Sequence, residues 1–136
     1  MADIRLSAPL EMEFDTIESE TSHLQTIRFA FVVKGTEYSH SFEYRGSFWM
    51  EAAVFDRFLE DLKSQSAANA VFNDIDNEFI IAVGKTGNTF TWQARRKAVG
   101  DGVRRGALMK ASFESVLLPG QTQDIVEAFQ AYPRWW

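Results

Sequence analysis

The sequence predicts an α+β fold: a twisted antiparallel sheet of about six to eight strands packed with two helices. Apolar and polar residues alternate along most of the chain, which is the period of half-buried strands. Twice that period gives way to a helical one, over residues 48–65 and 121–132. The strand patterns also follow one another across short turn signals instead of alternating with helices. That order favours sequential antiparallel pairing over a parallel doubly wound sheet.

The first strand is read from LEMEFDTIESE, where Leu10, Met12 and Phe14 face one way and Glu11, Glu13 and Asp15 the other. In TIRFAFVVK the inward set is Ile27, Phe29, Phe31 and Val33. Lys34-Gly35 reads as a turn into TEYSHSFEYR, where Tyr38, His40, Phe42 and Tyr44 share a face, and the two strands read as a hairpin. In FWMEAAVFDRFLEDLKSQ, residues Val54, Phe55, Phe58, Leu59 and Leu62 make the stripe of an amphipathic helix, with Ser47 as its expected N-cap. Strands resume at Ala70–Phe72 and at EFIIAVG, and Gly87-Asn88 suits a tight turn into NTFTWQARR. ALMKASFESVL alternates once more, Pro119-Gly120 breaks it, and Ile125, Val126 and Phe129 mark a short second helix.

The 136 residues suit a single domain spanning 1–136, and a chain of this size buries roughly two-thirds of its unfolded surface without a staple. Material for a core is ample: 46% of the residues are hydrophobic and twelve are Phe. With no Cys, disulfides, thiolate metal sites and cysteine nucleophiles are excluded. No apolar run approaches the ~20 residues that span a bilayer, and the N-terminus is unlike a signal peptide, so the expectation is a soluble, cytoplasmic protein without membrane contact. A net charge of −5 disfavours nucleic acid as the partner of the whole surface.

Charge is unevenly spread. Residues 93–108 hold five basic groups and one acidic, whereas the rest of the chain holds nine basic and eighteen acidic. Arg95, Arg96, Arg104 and Arg105 therefore form a candidate patch for an anion or an acidic partner, with the solvated end of a hairpin as the plainer reading. Gly100, Gly102 and Gly106 make a phosphate cradle conceivable, but the Gly-Lys-Ser/Thr ending of a phosphate loop is missing. The carboxylates Glu11, Glu13, Asp15 and Glu18 form a candidate acidic face that would steer a basic partner; the alternative is an edge strand kept from aggregating by its charge. Trp49, Trp135 and Trp136 are candidate aromatic anchors, the alternative being that they fold onto the sheet.

Catalytic and cofactor chemistry is poorly represented. His23 and His40 are seventeen residues apart with no ligand-like spacing, so neither metal nor cofactor is expected. A nucleophile elbow, G-x-S-x-G, does not occur. Asp56, Glu60 and Asp61 fall on the polar side of the first helix. An enzymatic or small-ligand alternative would need Tyr38, His40, Tyr44 and Trp92 to line one pocket, with His40 part-buried beside a carboxylate. A self-associating assembly protein using Trp135-Trp136 is a further alternative.

Between residues 48 and 131 the order of features resembles the WapI-type immunity proteins of bacterial polymorphic toxin systems. The segments concerned are FWMEAAVFDRFLEDL, ANAVF, NEFIIAVGKTGNTFTWQA, ALMKASFESVLL and GQTQDIVEAF. Gln121 stands where that family's turn usually has Asp, and residues 95–106 are longer and more basic than its pattern. The resemblance implies a non-enzymatic cytoplasmic protein, a monomer or weak homodimer, that binds and occludes a cognate toxin. For an acidic inhibitor it implies a basic toxin, such as a nuclease.

Overall fold

The computed structural model describes residues 2–97 and 107–136. The chain runs β1 (Ile4–Leu6), β2 (Glu11–Glu20), β3 (Thr26–Glu37), β4 (His40–Glu51), α1 (Ala52–Lys63), β5 (Asn69–Asn73), β6 (Phe79–Gly84), β7 (Thr89–Lys97), β8 (Leu108–Val116) and α2 (Gln121–Gln130). Among the described residues all strand pairs are antiparallel, and the fold is α+β with eight strands and two helices. The strands form two sheets, ordered β1-β2-β3-β4 and β5-β6-β7-β8, in place of the one sheet expected. The helical segment α1 between β4 and β5 is what separates them.

Period-two patterning decides the inner faces. Met12, Phe14, Ile27, Phe29, Val33, Phe48 and Met50 of the first sheet are buried, as are Ala70, Phe72, Phe79, Ile81, Phe90, Trp92 and Ala94 of the second. The two faces meet through aromatic rings: Phe48 stacks on Phe79 at 4.6 Å between centroids, and Phe31 meets Phe79 at 4.7 Å. Such pairs add about 0.5–1.5 kcal/mol each beyond their area term. α1 closes the core with Ala52, Phe55, Phe58, Leu59 and Leu62, and α2 with Ile125, Val126 and Phe129.

β1 is a strand the sequence reading lacks: Ile4 and Leu6 are buried and the segment pairs antiparallel with β2. Two boundaries also differ from that reading. Lys34-Gly35 is not a turn: β3 continues to Glu37, and the hairpin closes at Tyr38-Ser39, both with positive φ (48° and 70°) as a two-residue primed turn requires. Gly35 is instead a strand residue lying under the ring of its cross-strand partner Phe42, which occupies the space a Cβ would need. Ser47 does not cap α1. The alternation Ser47 out, Phe48 in, Trp49 out, Met50 in carries β4 on to Glu51, and the first helical N–H, that of Ala52, donates to the Gln25 carbonyl at 2.9 Å.

Candidate functional site

A cleft of about 530 Å³ opens where the β4 edge leaves the second sheet. Phe31, Gly46, Phe48, Phe79 and Ala94 form its floor. Gly46 keeps that floor low, because a Cβ there would come within 3.0 Å of the Phe31 ring. Arg28, Arg45, Ser47 and Trp49 stand on one wall, Arg95 and Arg96 on the other, and Asp74, Asp76 and Glu78 close the end from the β5–β6 turn.

That turn is held by a buried carboxylate. Asp74 Oδ1 accepts the N–H groups of Glu78 (2.7 Å) and Phe79 (3.0 Å), which locks the turn and places the Ile75 N–H on the Trp49 carbonyl at 2.9 Å. Burial raises the Asp74 pKa above the ordinary carboxyl range; the Phe79 and Glu78 amides pull the other way, and Asp76 adds to the rise. Tyr44 stacks on Phe31 at 5.8 Å, and burial, helped by the Glu78 charge, raises its phenol pKa against the opposing effect of Arg96. The phenol therefore stays a hydrogen-bond donor at neutral pH.

Most cleft charges are already engaged. Arg96 pairs with Glu78 at 3.1 Å, Arg45 with Glu43 at 2.8 Å, and Arg28 with Glu18 at 2.8 Å while also donating to Ser47 Oγ at 3.2 Å. Among the described residues, Arg95 and Asp76 have no ion pair within the chain. The site thus offers a guanidinium and a carboxylate facing solvent, a phenol donor and a half-buried indole.

The candidate residues are only partly brought together. Trp49, Arg95 and Arg96 line the cleft jointly. Glu11, Glu13, Asp15 and Glu18 share the outer face of the first sheet, as expected, but basic residues interleave with them. Arg5 pairs with Glu13 at 3.0 Å, Arg28 reaches Glu18, and Lys34 lies opposite Glu11 in register. The strand reading saw the acidic row but not the bases that neighbouring strands set beside it. Arg104 and Arg105 lie outside the described residues.

The terminal tryptophans stand apart from the cleft. Trp136 packs on Phe55 and Tyr132 and donates from Nε1 to Asp56 Oδ2 at 2.7 Å, so it folds back onto the body, whereas Trp135 is 38% exposed. A pocket around His40 is not assembled. Tyr38, in the hairpin turn, is 90% exposed, His40 is exposed beside it, and Trp92 is fully buried with its Nε1 unpartnered among the described residues; of the four, only Tyr44 lines the cleft. Sequence reasoning missed Arg28, Arg45, Asp74, Asp76 and Glu78. The one local signal for the last three was the turn-forming run NDIDNE.

Among the described residues, no group of three or more His, Cys, Asp or Glu is placed to hold a metal, and no helix is long and apolar enough to cross a membrane. Fold and cleft together define an α+β two-sheet domain with a charged groove beside β4. Comparison with protein-family models, curated proteins and solved structures finds no match to this chain.

Proposed function

We propose that this chain is a non-enzymatic protein-binding module of the immunity type, which neutralises a cognate bacterial toxin in the cytoplasm by occluding it. The observation that supports this reading best is the cleft beside β4, where Trp49 adjoins arginines on both walls and carboxylates at the closed end. A half-buried aromatic beside charges that face solvent is the composition of an interface anchor with a polar rim. The net charge of −5, and Glu11 and Asp15, which have no ion pair among the described residues, add a steering field for a basic partner. The order of segments over residues 48–131 supplies the likeness to immunity proteins.

Affinity capture with the tagged protein from its native lysate, washed at low and at high salt, tests the reading. One stoichiometric basic protein that weakens with salt, and that Trp49→Ala together with Asp76→Lys releases, is the expected result. A captured protein indifferent to both substitutions, or none at either salt, overturns it.

A further inference from the structure

β8 is an edge of the second sheet, nine residues long without a bulge, and unusually apolar for an edge. Leu108 (49%), Met109 (62%) and Val116 (63%) are exposed along it. Long flat apolar edges pair with other chains unless charge, proline or a covering element prevents it.

The direction of its free backbone groups follows from one hydrogen bond. The Leu117 N–H donates to the Asn88 carbonyl at 2.6 Å, so in the same register the odd-numbered residues of β8 face β7. The N–H and C=O groups of Lys110, Ser112, Glu114 and Val116 therefore point outward, away from the sheet.

We propose that a second copy of this chain docks here, β8 against β8′, antiparallel about a two-fold axis at Ser112. That register sets outward-pointing backbone groups against each other throughout, as ladder hydrogen bonds require. It also sets Lys110 opposite Glu114′ and Glu114 opposite Lys110′, Leu108 opposite Val116′, and small Ala111 opposite large Phe113′. The segment LMKASFESV thus matches its own reverse in charge at Lys110/Glu114′, in apolar character at Leu108/Val116′ and in bulk at Ala111/Phe113′, while Met109 falls opposite Ser115′. An isologous contact demands this kind of self-complementarity. Shifting the register by two residues would lose the charge match, since Lys110 would then oppose Ser112′ or Val116′. The product is one continuous eight-stranded sheet across two molecules.

A strand-edge contact lies at the small end of interface areas, so dissociation constants of roughly 1–100 µM are expected. Sedimentation velocity over a concentration series measures them. Lys110→Glu or Glu114→Lys alone creates two like-charge pairs across the axis and should weaken association by about tenfold or more. The double variant Lys110→Glu/Glu114→Lys restores both pairs and should return to within about threefold of the parent. Ser112→Pro removes an outward N–H without touching the β7 ladder and should weaken association while circular dichroism stays unchanged. A monomer at about 1 mM overturns the proposal, as does a dimer indifferent to the single reversals. A double variant no better than the singles, or a dimer lost only on Trp135→Ala, overturns it equally.

Discussion

The two sheets leave unpaired strands of contrasting character. The β4 edge is occupied: Ile75 bonds to its Trp49 carbonyl, Phe42 stacks on Trp92 across the core, and Glu43 and Arg45 place charge along it. Among the described residues no strand pairs with the outer side of β8, whose apolar side chains are exposed and whose even-numbered backbone groups point away from β7. Edge protection here is therefore a property of each strand's surroundings and not of the fold as a whole. On β4 the protection produces the cleft wall; on β8 its lack leaves room for a partner strand.

Removing the support under β4 should give the largest effect. Phe79 lies between Phe48, Phe31 and Phe72, and Phe79→Ala is expected to cost about 3–5 kcal/mol in urea denaturation. The half-buried Phe113 on β8 should cost roughly half as much when truncated, since less of its surface leaves water. Equal losses would mean that the second sheet does not seat β4 in the way described.

Asp74→Ala comes next. It strands the Glu78 and Phe79 amides in a buried turn, an expected loss of about 1–3 kcal/mol. Amide exchange at Ile75 should accelerate while exchange along β8 stays as before; uniform acceleration would show that the turn does not guard β4 in particular. The same carboxyl has a pH signature. Its folded pKa is raised, so the folded state holds the proton more tightly. Its stabilising share is full below the unfolded pKa and is lost as pH rises through the raised value. Asp74→Asn, which keeps an acceptor oxygen and cannot titrate, should flatten that part of the stability–pH curve.

The smallest effect is expected at the rim. Arg96→Ala removes an ion pair whose Arg96 side chain is largely exposed, so the stability change should be about 0–1 kcal/mol. A larger loss would make Arg96 a structural element of the cleft and count against the proposal that it contacts a partner.

The inner faces of the strands were legible because alternation is a local property. Met12 and Phe14, then Ile27, Phe29, Phe31 and Val33, and Phe90, Trp92 and Ala94 are buried as their spacing predicts. Both helices were legible for the same reason. The errors arose where two local signals competed. Lys34-Gly35 carries turn composition, but the ring of Phe42 covers the glycine and keeps it in the strand, so the turn falls at Tyr38-Ser39, where positive φ is taken up by residues other than glycine. Phe48-Trp49-Met50 lies next to a strong helical stripe, yet its own alternation belongs to β4.

The sequence by itself determined the inward faces of most strands and of both helices, the number of strands to within its stated range, and the α+β class, because burial in a strand or helix repeats with that element's own period; it did not pick out Ile4 and Leu6 of β1. Tertiary structure alone decided that the strands divide into two sheets. It also decided that Arg28, Asp74 and Arg96, far apart along the chain, line one cleft, and that arginines and a lysine from neighbouring strands interleave the acidic row of β2. Those outcomes depend on which strand lies beside which, and cross-strand neighbours leave no periodic trace in a single sequence.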